Sequence, residues 1–417
     1  VAATGPAPLG RLGRHADAVA SVVERAVATT PLWAARLGPD AARRPFAELA
    51  TTTKSDLAGW GPFPLQAGPP SAAARFCATS GTTGDRLFVG FSAGDWDRVG
   101  ARLAHRAGVA GVGPGDLLAN THGYGLWVGG PSLDLLAGVS GAGLLPLGPG
   151  HTDQLLEWLG AWPITALSAT PSFLRYLVEQ AGARGVDTGA WSLRVGFIGG
   201  EGAAPSLRRQ VIDALGGGFR WQELYGSTEA GGPILGWSPP SAPEGGRLAL
   251  DTDELVVEVL ALDGDHPAGP GEVGEVTVTT PYRELSPLVR YRTRDLVTVA
   301  EGDGSGTEGF PVVSSVVGRV DDAVKVRGAL VYPAVVEQVV VAATLPGAEW
   351  RIELDRDPGR LDVLTVRVEH PEPALADELA DALHHALGVR AAVAVVEPGS
   401  LERFTGKARR VVDRRRG

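Results

Sequence analysis

Short apolar runs alternate with longer amphipathic segments between residues 75 and 235. Leu117–Asn120, Ile164–Ser168 and Val195–Ile198 have the length and content of buried strands, while residues 154–159 and 172–180 carry a helical pattern. That alternation predicts an α/β layer architecture. Residues 15–50, rich in Ala, Val and Leu, predict helix, and Thr53-Lys54-Ser55-Asp56-Leu57 predicts a cap and a short helix. Near residue 250 the pattern changes. Residues 254–260 and 275–279 are β-rich and flank a Gly/Pro turn region, which predicts a small β subdomain over about 250–317. Beyond Gly318-Arg319-Val320-Asp321-Asp322 a compact α+β unit is predicted: a helix from Pro333, strands near 350–355 and 361–369, a helix over 374–387 and a strand over 391–396. Leu375, Leu379, Leu383 and Leu387 recur at helical spacing, and Gly388 suits the helix end. An exposed loop is expected at 397–408. The pattern holds no internal repeat. The expected domains are 1–320 and 321–417.

Composition narrows the classes. The chain has 417 residues, 44% hydrophobic and 21% charged, as in globular proteins, and it has room for more than one domain. Its 58 glycines and 31 prolines demand many turns. A formal net charge of −10 argues against a nucleic-acid surface. The arginines at 409–410 and 414–416 read as a solvated tail. One cysteine, Cys77, allows neither an intrachain disulfide nor a cysteine-based metal site, which fits a reducing, cytoplasmic setting. No apolar run approaches the ~18–20 residues of a membrane span, and Val1 to Gly10 lacks a signal-peptide pattern. The 8 histidines are scattered and include no HExxH, so no protein-ligated metal is expected. Methionine is absent, which nothing in the pattern explains.

Five segments carry candidate chemistry. Ala78-Thr79-Ser80-Gly81-Thr82-Thr83-Gly84 offers backbone N–H groups and small hydroxyls to an anion, though such loops also serve as plain connectors. Gly199-Gly200-Glu201-Gly202 follows a predicted strand directly, so a flat ring can approach its backbone; an ordinary βα turn has the same composition. Tyr225-Gly226-Ser227-Thr228-Glu229 supplies an aromatic face, hydroxyls for phosphate and a carboxylate for Mg²⁺, which one or two carboxylates plus substrate phosphates usually hold. In Arg290-Tyr291-Arg292-Thr293-Arg294-Asp295, the aspartate can accept from two ribose hydroxyls, and the arginines can equally form surface ion pairs with Asp295 and Asp321. Thr405-Gly406-Lys407 places a cation on a glycine-flanked loop. It is not a phosphate-loop lysine of the GxxxxGK[ST] type, because Leu401 and Ala408 occupy the required Gly and Ser/Thr positions.

Taken in order, these motifs resemble the AMP-forming acyl-CoA synthetase superfamily, and within it the phenylacetate–CoA ligase family. The resemblance also rests on Thr52–Leu57, Gly123-Tyr124-Gly125-Leu126-Trp127, Thr170-Pro171-Ser172 and Gly399-Ser400, and it runs from about residue 20 to 414. It implies a large N-terminal adenylate-forming domain and a small mobile C-terminal domain turning about Asp321. Thr79, Ser80, Gly81, Thr82, Thr83 and Gly84 would hold ATP phosphates. Gly200 and Glu201 would lie along the adenine, Tyr225 would stack on it, and Gly226 and Ser227 would adjoin. Thr228 would touch the α-phosphate and Glu229 would help hold Mg²⁺. Asp295 would bind the ribose, and Arg319 ribose or phosphate. Lys407 would bridge the acid and AMP. His122, Tyr124, Gly125, Trp127 and Gly231 would line the acid pocket, and Gly328 the pantetheine tunnel. The chain departs from the family pattern at Asp85-Arg86, where Lys-Pro is common, at Trp127, which would take pocket volume, and at Ala323, where a larger apolar residue is usual.

The implied function is ATP-dependent activation of an aromatic carboxylic acid to an acyl-adenylate, with release of pyrophosphate and transfer to coenzyme A. The alternative is a freestanding adenylation enzyme that loads the acid onto a carrier-protein phosphopantetheine or an amine. A third reading is a non-catalytic nucleotide-binding relative, against which Lys407, Glu229 and Asp295 argue. ATP, Mg²⁺ and coenzyme A are the expected cofactors. The expected partners are a small carboxylic acid and CoA or a carrier protein, with no nucleic acid and no membrane. The enzyme is expected to be a monomer or homodimer.

Overall fold

The alternating segments of the first half form one eight-stranded sheet in the computed structural model, which describes residues 12–79, 86–300, 309–344, 348–356, 361–401 and 410–415. Two helices come first, α1 (Leu12–Thr29) and α2 (Pro31–Leu37). Short 3-10 turns then replace the continuous helix expected as far as residue 50, because Gly38 ends α2 in an extended, positive-φ conformation and Pro45 precedes the next turn. The cap at Thr53 forms as expected, its N–H donating to Asp56 Oδ2 at 2.8 Å. β1 (Arg75–Ala78) and β2 (Phe88–Phe91) pair antiparallel. Next come α3 (Ala93–Ala110), β3 (Leu117–Asn120), α4 (Gly129–Ser140), β4 (Gly143–Pro146), α5 (Thr152–Ala161), β5 (Ala166–Ala169), α6 (Pro171–Ala183), β6 (Val195–Gly199), α7 (Pro205–Ala214), β7 (Arg220–Ser227), β8 (Gly232–Trp237) and β9 (Arg247–Leu250). The β-rich stretch supplies β10 (Val256–Leu260), β11 (Val273–Thr279), β12 (Tyr291–Thr298) and β13 (Val312–Ser314).

The large sheet runs β13-β9-β8-β7-β6-β5-β3-β4. β4, β3, β5, β6 and β7 are parallel, and β8, β9 and β13 extend the sheet in antiparallel fashion. Leu103, Leu118, Leu133, Phe197 and Trp237 are fully or almost fully buried in the core between sheet and helices. β13 pairs with β9 of this sheet, although it lies in the stretch expected to form the β subdomain; β10, β11 and β12 make a separate antiparallel meander. The strand order reverses at β3, which has β4 on one side and β5 on the other. In open α/β sheets such a reversal opens a crevice beyond the carboxyl ends of the strands.

Contacts divide the chain into two units: residues to 170 with 190–200 and 218–315, and a second unit of 171–189, 201–217 and 316 onward. The second unit therefore takes in α6 and α7. Its own elements are β14 (Gly318–Arg319), β15 (Val324–Val326), β16 (Ala329–Val331), α8 (Pro333–Ala343), β17 (Trp350–Arg356), β18 (Asp362–Glu369), α9 (Leu375–Leu387), β19 (Ala392–Val396) and β20 (Val411–Asp413). A four-stranded sheet, β19-β18-β17-β20, packs Ile352, Leu354, Leu364 and Val366 against Leu379 and Leu383 of α9. Gly388 ends α9 in the left-handed conformation that its position predicts. Arg175 of α6 reaches Glu349, just before β17, at 3.3 Å. No described helix is long and apolar enough to cross a membrane.

Candidate active site

The candidate site in the first unit lies at the carboxyl ends of β3, β6 and β7, with β12 contributing from the meander. β12 is not a regular strand. Thr277 pairs with Arg292 and Glu275 with Leu296, so Thr293, Arg294 and Asp295 crowd opposite one residue of β11. Such a bulge re-aims the side chains it carries. Arg294 takes a left-handed conformation (φ 70°), and its N–H is held by Glu275 Oε1 at 3.0 Å. The result is that Asp295 faces Tyr225 of β7: the Tyr225 hydroxyl donates to Asp295 Oδ2 at 3.0 Å, and the Asp295 N–H donates to Thr293 Oγ1 at 3.2 Å. All three residues are buried. The next carboxylate is oriented in the same way, the Tyr291 hydroxyl donating to Glu229 Oε1 at 3.2 Å.

Gly226 has a reason of its own. A Cβ there would lie 1.8 Å from the Gly232 carbonyl oxygen, so only glycine lets β7 and β8 meet at their irregular junction. Two arginines of this motif are engaged by other carboxylates. Arg290 is buried and grips Glu258 through two bonds, 2.9 and 3.1 Å, and also binds the Ala47 and Leu49 carbonyls. Arg292 pairs with Glu275 and Asp265, both at 2.6 Å. These arginines fasten the strand that carries Asp295.

On the other edge, the segment after β3 folds over a polar hub. Asn120 Oδ1 accepts from Ser168 Oγ at 2.6 Å and from the His122 N–H at 3.1 Å; its Nδ2 donates to the Gly130 carbonyl at 2.9 Å and to Asp134 at 2.8 Å. The Tyr124 hydroxyl donates to Asp134 at 2.7 Å. Partial burial and then the Asp134 carboxylate push that phenol above its usual range. Burial drives His122 down to about 4, so its imidazole is neutral near pH 7. Trp127 meets His122 edge-to-face with ring centroids 5.0 Å apart. Its ring also covers Gly129, where a Cβ would come within 2.5 Å, and it lines the open side of Gly200, whose nearest neighbours to a Cβ are Trp127 and Thr170 at 3.6 and 3.7 Å. The tryptophan thus turns toward the crevice between β3 and β6. Gly231 does not open space there: a Cβ on it would strike the buried Arg283 guanidinium at 2.3 Å. Tyr124 and Gly125 are exposed.

The remaining candidates are distributed as follows. Thr79 is buried, and its N–H donates to the Leu87 carbonyl at 3.0 Å, closing the base of the candidate phosphate loop. Ser80 to Gly84, and Lys407, lie outside the described residues. Ala78 donates to the Leu126 carbonyl at 2.7 Å, which ties the loop's leading strand to the aromatic segment. Thr228 is buried beside Glu229, and Ser227 Oγ accepts from the Ala230 N–H at 3.2 Å. Glu201, Arg319, Asp321 and Gly328 belong to the second unit. Glu201 is engaged by Ser172, whose hydroxyl and N–H donate to it at 3.0 and 3.3 Å. Arg319 and Asp321 face one another at 3.8 Å. Gly328 forms the β15–β16 turn with Arg327, both at positive φ (91° and 49°). The thiol of the fully buried Cys77 is pushed up to about 11, chiefly by burial, so it is no nucleophile near neutral pH. Sequence reasoning missed Asn120, Asp134, Thr293 and Tyr291. Two of them lie inside the motif quoted for Asp295, and Asn120 ends a recognised strand, so position was the available signal.

Comparison with known proteins accounts for this arrangement. The model of the AMP-binding enzyme family matches residues 14–283, and that of the AMP-binding enzyme C-terminal domain matches 328–415. A phenylacetate–coenzyme A ligase of Aromatoleum evansii is 32% identical over 393 residues, covering 90% of this chain and 85% of the relative. Its counterpart in Escherichia coli K12 is 31% identical over 375 residues, covering 87% and 84%. Among solved structures, a 2-hydroxyisobutyryl-CoA ligase superposes with a TM-score of 0.82 at 22% identity, over 98% of this chain and 91% of the other, and so shares the fold. With both family models matched in order and relatives of 31–32% identity covering most of the chain, the chain belongs to the AMP-binding enzyme family.

Proposed function

We propose that the protein activates an aromatic carboxylic acid with ATP and passes the acyl group to the thiol of coenzyme A. Family membership and the ligases named above support the reaction class. The observation that carries the reading is the bulged β12, which holds the Asp295 carboxyl against Tyr225 at the end of β7.

In the first step an oxygen of the substrate carboxylate attacks the α-phosphorus and the bond to pyrophosphate breaks. In the second the thiolate attacks the acyl carbon and AMP leaves. Neither step needs a protein nucleophile, so catalysis rests on positioning and on charge stabilisation. Asp295 presents an acceptor for ribose hydroxyls, the Tyr225 ring a stacking face, and Gly200 an open approach to the backbone. Glu229, a hard oxygen donor already oriented by Tyr291, fits Mg²⁺, which when bound neutralises phosphate charge. Neutral His122 and the Trp127 ring give the acid a largely apolar wall, which suits a flat aryl group. Lys407 supplies the cation during adenylation, and the second unit turns about Asp321 to withdraw it before thiolysis.

ATP–pyrophosphate exchange without thiol, run over a panel of aryl and short aliphatic acids, tests the reading. Exchange with an aryl acid, followed by thioester formation on adding CoA, is the expected result. Exchange with aliphatic acids alone overturns the aromatic assignment, and ATP binding with no exchange overturns the activity.

A further inference from the structure

The turn that carries Thr228 and Glu229 is closed largely by its own bonds. The Ala230 N–H donates to Ser227 Oγ at 3.2 Å, and the Gly231 N–H reaches the Ser227 and Thr228 carbonyls at 3.2 and 3.3 Å. The Ala230 carbonyl is held from elsewhere in the chain: Arg283 Nη2 donates to it at 2.6 Å. Gly231 lets the guanidinium lie against the turn, because a Cβ there would collide with Nη2 and come within 3.2 Å of Cζ. Arg283 is itself set on several sides. Its Nε faces Asp95 Oδ1 at 3.7 Å, its Cζ sits 4.8 Å from the centre of the Phe91 ring, and Arg25 of α1 donates to its carbonyl. Asp95 is fixed in turn. It caps α3 together with Ser92 and accepts from the Glu284 and Leu285 N–H groups at 2.7 and 3.2 Å. Arg283, Asp95 and Phe91 are all buried.

For stability alone this arrangement is poor. A buried guanidinium offsets its desolvation only with close ion pairs and a full set of hydrogen bonds, and well-packed apolar side chains often serve as well or better. Here the Asp95 carboxylate stands beyond hydrogen-bond distance, and Nη1 has no partner among the described residues. What the guanidinium does, and an apolar side chain cannot, is bind the Ala230 carbonyl. That carbonyl belongs to the residue directly after Glu229. Glu229 is therefore held twice: Tyr291 orients its carboxylate, and Arg283 fixes the backbone one residue on.

We propose that Arg283 is a positioning residue for the nucleotide site, holding the Ala230 carbonyl so that Thr228 and Glu229 meet the phosphates and their cation in one geometry. It acts through the turn and not by contact with the ligand. The inference rests on the proposed function for what Thr228 and Glu229 bind, and deepens it with a residue that lies outside the motifs of the site.

Calorimetric titration of the full-length protein with ATP and Mg²⁺, and separately with adenosine, tests this role in wild type, Arg283→Met and Arg283→Lys. Adenosine carries the base and ribose assigned to Tyr225 and Asp295 and lacks the phosphates, so it reads the pocket without the turn. Methionine fills space and removes the donors. In that variant ATP binding with Mg²⁺ should weaken about tenfold while adenosine binds as in wild type. Lysine keeps one donor without the planar fork, and the same selective loss should shrink to about threefold. If the methionine variant does not fold, the lysine variant decides by that threefold selective loss. Unchanged ATP binding in both variants overturns the proposal. Equal weakening of ATP and adenosine also overturns it, since a loosened fold produces that result. Exchange activity in wild type with no selective loss in the variants sinks the positioning role alone. Selective loss in a protein whose wild type shows no exchange leaves the positioning role standing and sinks the ligase reading.

Discussion

The two edges of the first unit's site are built on opposite principles. At the β7–β12 edge the polar groups are held by direct hydrogen bonds: a bulge aims Asp295, a phenol and a threonine fix it, and the buried Arg290 anchors the strand beneath. At the β3 edge the titratable imidazole is neutralised by burial and wedged against Trp127, and an asparagine hub sets the backbone. The first arrangement suits a ligand rich in hydroxyls and phosphate. The second suits an apolar acid whose single charge must be met by a group from elsewhere. The lesson is a division of labour within one crevice, and each edge can be broken separately.

The largest effect is expected from removing the charge that neither edge provides. Lys407→Ala should lower adenylation by about 10²–10³, the cost of losing one preorganised charge, and should spare thiolysis of a supplied acyl-adenylate. Equal loss in both half-reactions, measured by exchange and by thioester formation, would refute a lysine that acts in one step only.

His122 sharpens the contrast through stability. The free imidazole titrates near ~6.5 in an unfolded chain, whereas burial holds it at about 4 in the folded protein. Between these values the unfolded chain binds a proton that the folded protein refuses, so stability falls as pH drops through that window. The loss amounts to about 3 kcal/mol by pH ~4. His122→Gln should flatten that limb of a denaturation-versus-pH series, and an unchanged slope would mean that other groups cause it.

Asp295→Asn keeps the shape and removes the charged acceptor. A hydrogen bond to a charged group contributes about 1.5–3 kcal/mol, so the KM for ATP should rise by at least about tenfold with little change in KM for the acid. The smallest effect belongs to Trp127→Phe. Opening the apolar wall should shift preference toward bulkier acids by about tenfold in kcat/KM and leave the ATP parameters in place.

Much of this was legible in the chain, for physical reasons that differ by region. Strands such as Leu117–Asn120 and the leucine stripe of α9 announce themselves because one buried face imposes a period on the sequence. Asp295 and Tyr225 were recognisable because their chemistry is carried by residue type in a fixed order. Their mutual geometry was not, because it depends on a bulge that no local pattern encodes. Arg290 reads as a surface cation in sequence and is buried, since its partner Glu258 comes from β10, two strands across the meander from β12. The motif assigns Gly226 to a ligand but gives no sign that a carbonyl six residues away also requires glycine there. The grouping of α6 and α7 with residues 316 onward was equally hidden, because it is a matter of contacts between distant segments.

The most direct test of the divided site is thiol-free ATP–pyrophosphate exchange with one accepted aryl acid, measured for wild type, Asp295→Asn and Trp127→Phe with each substrate varied in turn. The account predicts that the first variant raises the KM for ATP alone and the second alters only the response to the acid. Parallel changes in both substrates for both variants would contradict it.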